Sequence, residues 1–148
     1  MRLTRAPAVT STDDMMRLAV QAHHVAPPET NDLRISVAVG EPATEGDKRR
    51  VPLRILIPVA LLRLEPEGNE VRGGFVVYVS TGTGSGSISN INRQSHDIRW
   101  PVGALEQART KNMTFAVDVV LGPGTRQISV GVLDQRSEQT GFELVSGL

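Results

Sequence analysis

Alternation between apolar and polar residues is the feature that most restricts how this chain folds. From Leu33 onward, apolar residues recur at every second position within short runs, of which 113–121 is the clearest. A period of two is typical of a strand that buries one face. The 14 glycines and 9 prolines are spread along the chain and separate these runs. The sequence therefore predicts an all-β fold with frequent turns and no long helices.

Seven or eight short strands are predicted between residues 31 and 148. Their spacing predicts an antiparallel two-sheet sandwich of immunoglobulin-like kind, and a closed barrel is the alternative. The run Val71–Ser80 has apolar residues on both faces, which indicates a central strand. A tight turn at Gly122–Gly124 separates two alternating runs, so residues 113–132 are predicted to form a β-hairpin. The predicted strands cover residues 33–39, 51–57, a short part of 59–64, 71–80, 98–100, 113–121, 128–132 and 142–144.

The first 30 residues follow a different pattern. Ser11 or Thr12 is a candidate N-cap for a short amphipathic helix that runs from Asp13 to about His23. Two adjacent prolines, at positions 27 and 28, end this pattern before the strands begin. The apolar residues predicted to share one face of the helix are Met15, Met16, Leu18, Ala19 and Ala22.

This change of period divides the chain into two parts. We expect residues 1–30 to be a connector, with an extended lead-in at residues 1–10 before the helix. The connector is expected to pack against one sheet or its end and to take no part in a site. Residues 31–148 are expected to form the β-sandwich domain.

Charge and cysteine content exclude several functional classes. The chain carries 16 basic and 16 acidic residues, and it lacks the basic excess of a nucleic-acid-binding protein. The absence of cysteine excludes disulfides, thiolate metal sites and cysteine nucleophiles. No apolar run is long enough to span a membrane, and the first residues lack the apolar stretch of a signal peptide.

A Gly/Ser-rich loop at 81–90 invites comparison with a dinucleotide-binding fingerprint. Gly82 and Gly84 match the first two glycines of that motif, but Ser87 stands at the third position. The residues that follow have no helical period, so no helix N-terminus is available to a phosphate group. We therefore expect a flexible hairpin loop.

The histidines and serines do not form a recognisable catalytic pattern. His23 and His24 are neighbours, so on a helix they point about 100° apart and cannot share a metal ion. His96 stands beside Asp97, but sequence adjacency says nothing about a catalytic triad. The loop serines lack the strand–turn–helix setting of a nucleophile elbow. These serines are Ser87, Ser89 and Ser95.

Two other patterns are also expected to be structural. Asp134 and Glu138 supply too few oxygens for calcium, so they are expected to lie in a solvated turn. Asn112 begins a glycosylation sequon of a kind that often arises by chance. The sequence thus predicts no catalytic, cofactor-binding or metal-ligating residue, no cofactor, and no enzymatic activity.

Five segments resemble a region of a known bacterial family. The last four, in order along the chain, read VPLRILIPVALLRLEPEG, GGFVVYVSTGTGSG, IRWPVGALEQA and LGPGTRQISVGVLDQRSEQTGF, and DLRISVAVGEP precedes them. This arrangement resembles the C-terminal region of von Willebrand factor A-type-related proteins of acidobacterial type. About three-quarters of the chain is covered.

The resemblance implies a non-catalytic β-sandwich accessory domain that follows an A-type domain in a secreted or cell-envelope protein. The A-type domain itself is absent, because its metal-binding Asp-x-Ser-x-Ser signature occurs nowhere in the chain. Arg126 or Gln127 stands where immunoglobulin-like domains often place a tyrosine, so a tyrosine corner is not expected.

Two functions are carried forward from the sequence. The first is a non-catalytic accessory module for protein–protein or structural interaction, whose partner is another protein or a neighbouring domain of a longer chain. The alternative is a domain that binds a small ligand or a carbohydrate. Trp100 and Tyr78 discriminate between them: buried rings favour the first, and an exposed pair in a groove favours the second.

Overall fold

The computed structural model of the protein describes residues 11–83 and 86–148. The extended lead-in predicted for residues 1–10 lies outside these ranges. Within them, no helix is long and apolar enough to cross a membrane. The helices and strands are α1 (Thr12–Ala22), β1 (Ser36–Val39), β2 (Ala43–Glu45), β3 (Lys48–Pro58), a 3₁₀ turn (Val59–Leu61), β4 (Glu65–Glu67), β5 (Glu70–Gly82), β6 (Asn92–Pro101), a second 3₁₀ turn (Val102–Ala104), α2 (Leu105–Ala108), β7 (Asn112–Leu121), β8 (Gln127–Asp134) and β9 (Thr140–Val145).

The strands form two antiparallel sheets, which confirms the predicted all-β sandwich. In the first sheet, sheet A, β3 is central, with β7 on one side and β1 and β2 on the other. In the second, sheet B, the order is β6-β5-β8-β9, and β4 pairs with the start of β5 on the β8 side. β5 is therefore a central strand, as its two apolar faces predict.

The main core lies between the two sheets. Every second residue of β3 and of β5 points inward, and these side chains are almost completely buried. β8 contributes a third row to the same layer. The three rows are Val51, Leu53, Ile55 and Ile57 from β3, Phe75, Val77 and Val79 from β5, and Ile128, Val130 and Val132 from β8.

A second, smaller core lies on the outer face of sheet B, where α1 docks. Met16 and Val20 are buried there, one helical turn apart. Ser11 is the N-cap, and its hydroxyl accepts a 3.0 Å hydrogen bond from the backbone N–H of Asp14. Gly131 of β8 permits close approach, because a β-carbon there would lie 2.6 Å from Val20 Cγ2. The sheet residues beneath the helix are Val76, Tyr78, Leu133 and Phe142.

The predicted β-hairpin at residues 113–132 is wrong. β7 pairs with β3 in sheet A, whereas β8 pairs with β5 and β9 in sheet B. The Gly122–Gly124 turn therefore carries the chain from one sheet to the other. Alternation shows only that each strand buries one face. Two strands that face each other from different sheets show the same alternation as two strands that are hydrogen-bonded in one sheet.

An irregularity separates β1 from β2 along the edge of β3. Val39 pairs with Leu53 while Ala43 pairs with Arg50, so the edge holds one more residue than β3 does. Pro52 lies opposite this bulge. It has no N–H to donate, and its carbonyl accepts a 2.7 Å hydrogen bond from the Gly40 N–H. The sequence of residues 41–50 is mostly polar and is typical of a hairpin loop, but these residues contain β2 and the start of β3.

Candidate functional site

The Gly/Ser loop leads into a strand, as the lack of helical period predicts. β6 follows it, and none of the residues 86–101 begins a helix that could hold a phosphate. The described part of the loop is held by backbone hydrogen bonds from Ser89 N to Thr81 O (2.8 Å) and from Thr83 N to Ser87 O (3.0 Å). Gly84, the second candidate glycine, lies outside the described residues.

His96 is an aromatic packing residue. Its ring stacks on Phe75 with centroids 5.2 Å apart and meets Phe115 edge-on at 4.5 Å. Asp97 lies on the opposite, exposed face of β6, so the sequence neighbours do not interact through their side chains. Within the described residues, His96 Nε2 is buried without a hydrogen-bond partner. The contact with Phe115 places β6 and β7 on the same side of the sandwich.

A histidine–serine contact that sequence reasoning missed lies at the end of α1. His24 Nε2 is 2.8 Å from the Ser80 hydroxyl, and the Gln127 amide lies 3.2 Å from His24 Nδ1. Ser80 is 1% exposed, and the ring is oriented by an amide and not by a carboxylate, so the pair lacks both access and the third member of a triad. Burial lowers the pKa of His24, which favours the neutral ring.

This cluster fixes the chain just after the helix. Besides facing the His24 ring, the Gln127 amide donates a 3.2 Å hydrogen bond to the His24 carbonyl. Gly82 lies directly beneath the ring, and a β-carbon there would be 2.6 Å from His24 Nδ1. No sequence signal could have paired His24 with Ser80, because 56 residues separate them and neither belongs to a motif.

Asp134 does not lie in a solvated turn, so that prediction is wrong. Its side chain is 0% exposed at the end of β8. The carboxylate accepts backbone hydrogen bonds from Arg63 (2.7 Å), Arg136 (2.8 Å) and Ser137 (3.3 Å). These bonds tie together two loops that are far apart in sequence. The prediction failed because the residues after Asp134 are polar and have the composition of a solvated loop. In the fold, the Asp134 carboxylate takes the place of water as the hydrogen-bond acceptor of three backbone N–H groups.

The Glu138 side chain contacts α1 and not the Asp134 carboxylate. Its carboxylate accepts a 2.7 Å hydrogen bond from the Thr12 hydroxyl. The two acids therefore do not converge on a cation. In residues 11–83 and 86–148, no group of three or more His, Asp or Glu side chains is placed to hold a metal ion.

The two rings that discriminate between the functions lie on opposite faces of sheet B. Tyr78 is fully buried beneath α1. Trp100 is partly buried and packs against the core between the sheets. They therefore do not form the exposed aromatic pair that a carbohydrate-binding groove requires.

A polar network anchors the first turn of α1 to sheet B. The Tyr78 hydroxyl donates a 2.6 Å hydrogen bond to Asp13 Oδ1, and Arg93 Nε donates to the same oxygen at 2.7 Å. Arg17 Nε donates to Asp13 Oδ2 at 2.9 Å. The hydrogen bond from Tyr78, with those from Arg17 and Arg93, lowers the pKa of Asp13 from 3.8 to about 2.

This lowered pKa makes helix docking sensitive to acid. Because the folded-state pKa of Asp13 lies below the unfolded value, its stabilisation is complete above pH 4 and is lost as the pH falls towards 2. The carboxylate is partly exposed, so we expect Asp13→Asn to cost about 1 kcal/mol at pH 7. Urea unfolding between pH 5 and pH 2.5 should show a smaller loss of stability in this variant than in the parent. Asp14→Asn is the control, and an equal effect there would contradict the assignment.

The outward face of α1 exposes an apolar stripe. Met15 is 60% exposed and Leu18 63%, and Ala22, at the end of the helix, is exposed as well. Val25, in the turn that follows the helix, is 78% exposed. Met15, Leu18 and Ala22 follow one another at intervals of three and four residues, which is the spacing of the contact positions of a coiled coil. The sequence prediction placed Met15, Met16 and Leu18 on one apolar face, but of these only Met16 is docked. Val20, which the prediction left out, is buried beside it. We call Met15, Leu18 and Ala22 the helix stripe.

An apolar groove adjoins the helix stripe. It has a volume of about 420 Å³ and lies between α1 and the start of β9. Met15 belongs to both features, so the two form one continuous surface. Thr12 and Glu138 supply polar groups in the groove. The residues that line it are Thr12, Met15, Met16, Ala19, Glu138, Thr140 and Phe142.

Comparison with known proteins leaves the function open. No protein-family model and no curated protein matches the chain. Among solved structures, it is similar to β-glucosidase 3B from Thermotoga neapolitana in complex with α-D-glucose, with 14% sequence identity and a TM-score of 0.26. The match covers 77% of this chain and 16% of that chain. A likeness this slight carries no argument, so the function has to be inferred from the geometry.

Proposed function

We propose that this chain is a non-catalytic β-sandwich accessory module that binds another protein or a neighbouring domain of a longer chain. The observation that carries the proposal is the helix stripe, an apolar row left exposed on an element that is firmly docked through its other face. Leu18 is the most exposed large apolar residue within α1, at 63%. Contiguous exposed apolar surface of this kind is typical of interaction sites.

The spacing of the helix stripe favours a helix as the bound element. Side chains three and four residues apart form the holes into which a second helix inserts its own apolar residues. The adjoining groove is large enough for one bulky apolar side chain of that helix. Asp14 is exposed beside Met15 in the sequence, and Glu138 lines the groove, so basic residues flanking the apolar positions of the partner helix suit this surface.

In this proposal α1 is the binding element itself, whereas the sequence pattern predicts only a connector that packs against a sheet. A connector that only covered sheet B would present polar residues to solvent. Here the helix covers Tyr78 with one face and presents Met15 and Leu18 with the other. The accessory role, the immunoglobulin-like kinship and a location in a secreted or cell-envelope protein also follow from the resemblance to the A-type-related proteins, and they are part of the same proposal. A protein partner, and not nucleic acid, suits a chain of zero net charge.

Selection from a display library of helices tests the proposal. The library holds helices with varied apolar contact positions and varied flanking charge. We expect enrichment of helices with apolar contact positions and basic flanks. Leu18→Glu should weaken their binding at least about tenfold while changing the free energy of unfolding by about 0.5 kcal/mol or less, because the side chain is exposed.

The matched control is Val102→Glu, since Val102 is also an exposed apolar residue but lies in the 3₁₀ turn after β6. This variant should bind the selected helices as the parent does. Failure to enrich any helix, or selected helices that bind Leu18→Glu as tightly as the parent, would overturn the proposal.

A further inference from the structure

Strand β7 forms one edge of sheet A. It is ten residues long and pairs continuously with β3, from Asn112 opposite Pro58 to Leu121 opposite Arg49. Within the described residues, no other strand pairs with β7. One row of its backbone donors and acceptors therefore points away from the sandwich.

The register shows which groups point outward. The Val59 N–H donates to the Lys111 carbonyl at 3.1 Å, one residue beyond the last pair of the ladder, Pro58 and Asn112. The odd-numbered residues of β7 therefore bond to β3. Antiparallel pairing alternates bonded and non-bonded positions. The N–H and C=O groups of Thr114, Ala116, Asp118 and Val120 are consequently directed outward.

The other sheet edges in the described part of the chain carry features that block strand pairing. The β1–β2 edge is interrupted by the bulge opposite Pro52. β6 carries alternating charges and ends at Pro101. Along β9, the Leu33 N–H donates to the Thr140 carbonyl, which covers the start of that strand. By contrast, β7 has no bulge and no proline, and its single charged residue is Asp118.

The inward side of β7 is also incompletely covered. Phe115 and Val117 face the core layer but are only partly buried. A cleft of about 320 Å³ runs beside the strand, between Val117–Val120 and the start of β6 at Asn92. A strand added to this edge would cover the apolar side chains as well as the backbone groups.

Charge complementarity identifies the strand that fits. Arg54 lies on β3 directly opposite Ala116, and its guanidinium has no ion pair within the described residues. Asp118 lies one outward position further along β7, and its carboxylate is 4.0 Å from Arg50. A basic side chain, Arg54, and an acidic one, Asp118, therefore lie near the same edge. Two copies of the edge can pair so that Arg54 of each copy meets Asp118 of the other, as a self-complementary contact requires.

We propose that β7 pairs antiparallel with β7 of a second copy of this chain, about a two-fold axis at Val117. In this register Ala116 faces the partner's Asp118. Arg54 then reaches that carboxylate across the small Ala116 side chain, over two strand spacings of about 4.8 Å each. The same contact recurs on the other side of the axis. A register centred at Asp118 instead sets the two carboxylates against each other.

The oligomeric state tests this pairing. One strand edge is a small interface, so we expect a monomer–dimer equilibrium with a dissociation constant of about 10–100 μM, measurable by sedimentation. Ala116→Pro removes an outward N–H and leaves the ladder to β3 intact, so it should weaken the dimer at least about tenfold. Leu18→Glu should leave the dimer unchanged, which separates this pairing from the proposed helix-binding function.

Two further variants test the register without proline. Arg54→Glu and Asp118→Arg should each weaken the dimer, and combining them should restore it. The two Val117 residues face each other across the proposed axis, so Val117→Cys should cross-link the dimer on oxidation. The chain has no other cysteine that could form the cross-link. Thr114→Cys should not, since the two thiols would lie about 20 Å apart. A parent that stays monomeric at about 500 μM, where pairing of this strength gives mostly dimer, overturns the proposal. So does a dimer that is insensitive to Ala116→Pro or cross-linked through position 114.

Discussion

Replacing Asp134 by alanine should lower the free energy of unfolding by about 3–5 kcal/mol, one of the two largest effects expected in this chain. The carboxylate is buried and accepts three backbone N–H groups, from Arg63, Arg136 and Ser137. Without it those three partly buried donors lose their acceptor, and a donor that water does not reach costs about 1–3 kcal/mol when it is left without a partner. Urea or thermal unfolding measures the loss directly.

Asp134→Asn is the informative companion variant. Its carbonyl oxygen replaces only one of the two acceptors, so the loss should lie between those of the parent and of Asp134→Ala. Glu138→Ala removes an exposed carboxylate from the same loop and should cost less than about 1 kcal/mol. A loss below about 1 kcal/mol in Asp134→Ala would show that water satisfies the three donors and that the carboxylate does not hold the loops.

Deleting the segment before Glu29 should lower the melting temperature by about 10 °C while leaving the sandwich folded. Without the segment, Val76, Tyr78, Leu133 and Phe142 lose the helix that covers them. Burying Met16 and Val20 contributes about 1.5–3 kcal/mol each, and ordering the helix offsets part of that gain. The core between the two sheets does not include α1 and remains complete.

Val20→Ala in the full chain is the matched control for this deletion. It should reproduce part of the loss, because the cavity lies in the small core only. Circular dichroism and thermal melting distinguish the outcomes. An unchanged melting temperature would mean that α1 does not dock in solution. A truncated chain that cannot fold would place residues 1–28 in the essential core and refute the boundary between residues 30 and 31.

The strands were predictable because a period of two is a local property of the chain. The runs at 51–57 and 71–80 each lie within one observed strand, and Ser11 was one of two candidate caps. The partner of a strand is not local. Residues 113–121 and 128–132 have the pattern of a hairpin and still belong to different sheets.

The candidate site was less predictable for the same reason. A helical period placed Met15, Met16 and Leu18 on one broad face, but the shape of sheet B decides which part of that face is buried. Met16 docks, and the other two side chains remain exposed. The outward direction of the backbone groups of β7 likewise depends on its register with β3, which no property of residues 112–121 alone reveals.

The C-terminal part of the docked N-terminal segment rests on two positions that have no side chain. Val20 lies over Gly131, and the ring of His24 lies over Gly82, each so close that a single methyl group would collide with it. One added carbon at either position in β5 or β8 would force the side chain above it to move. The seating of the third layer on sheet B can therefore be disturbed without any change in the packing between the two sheets.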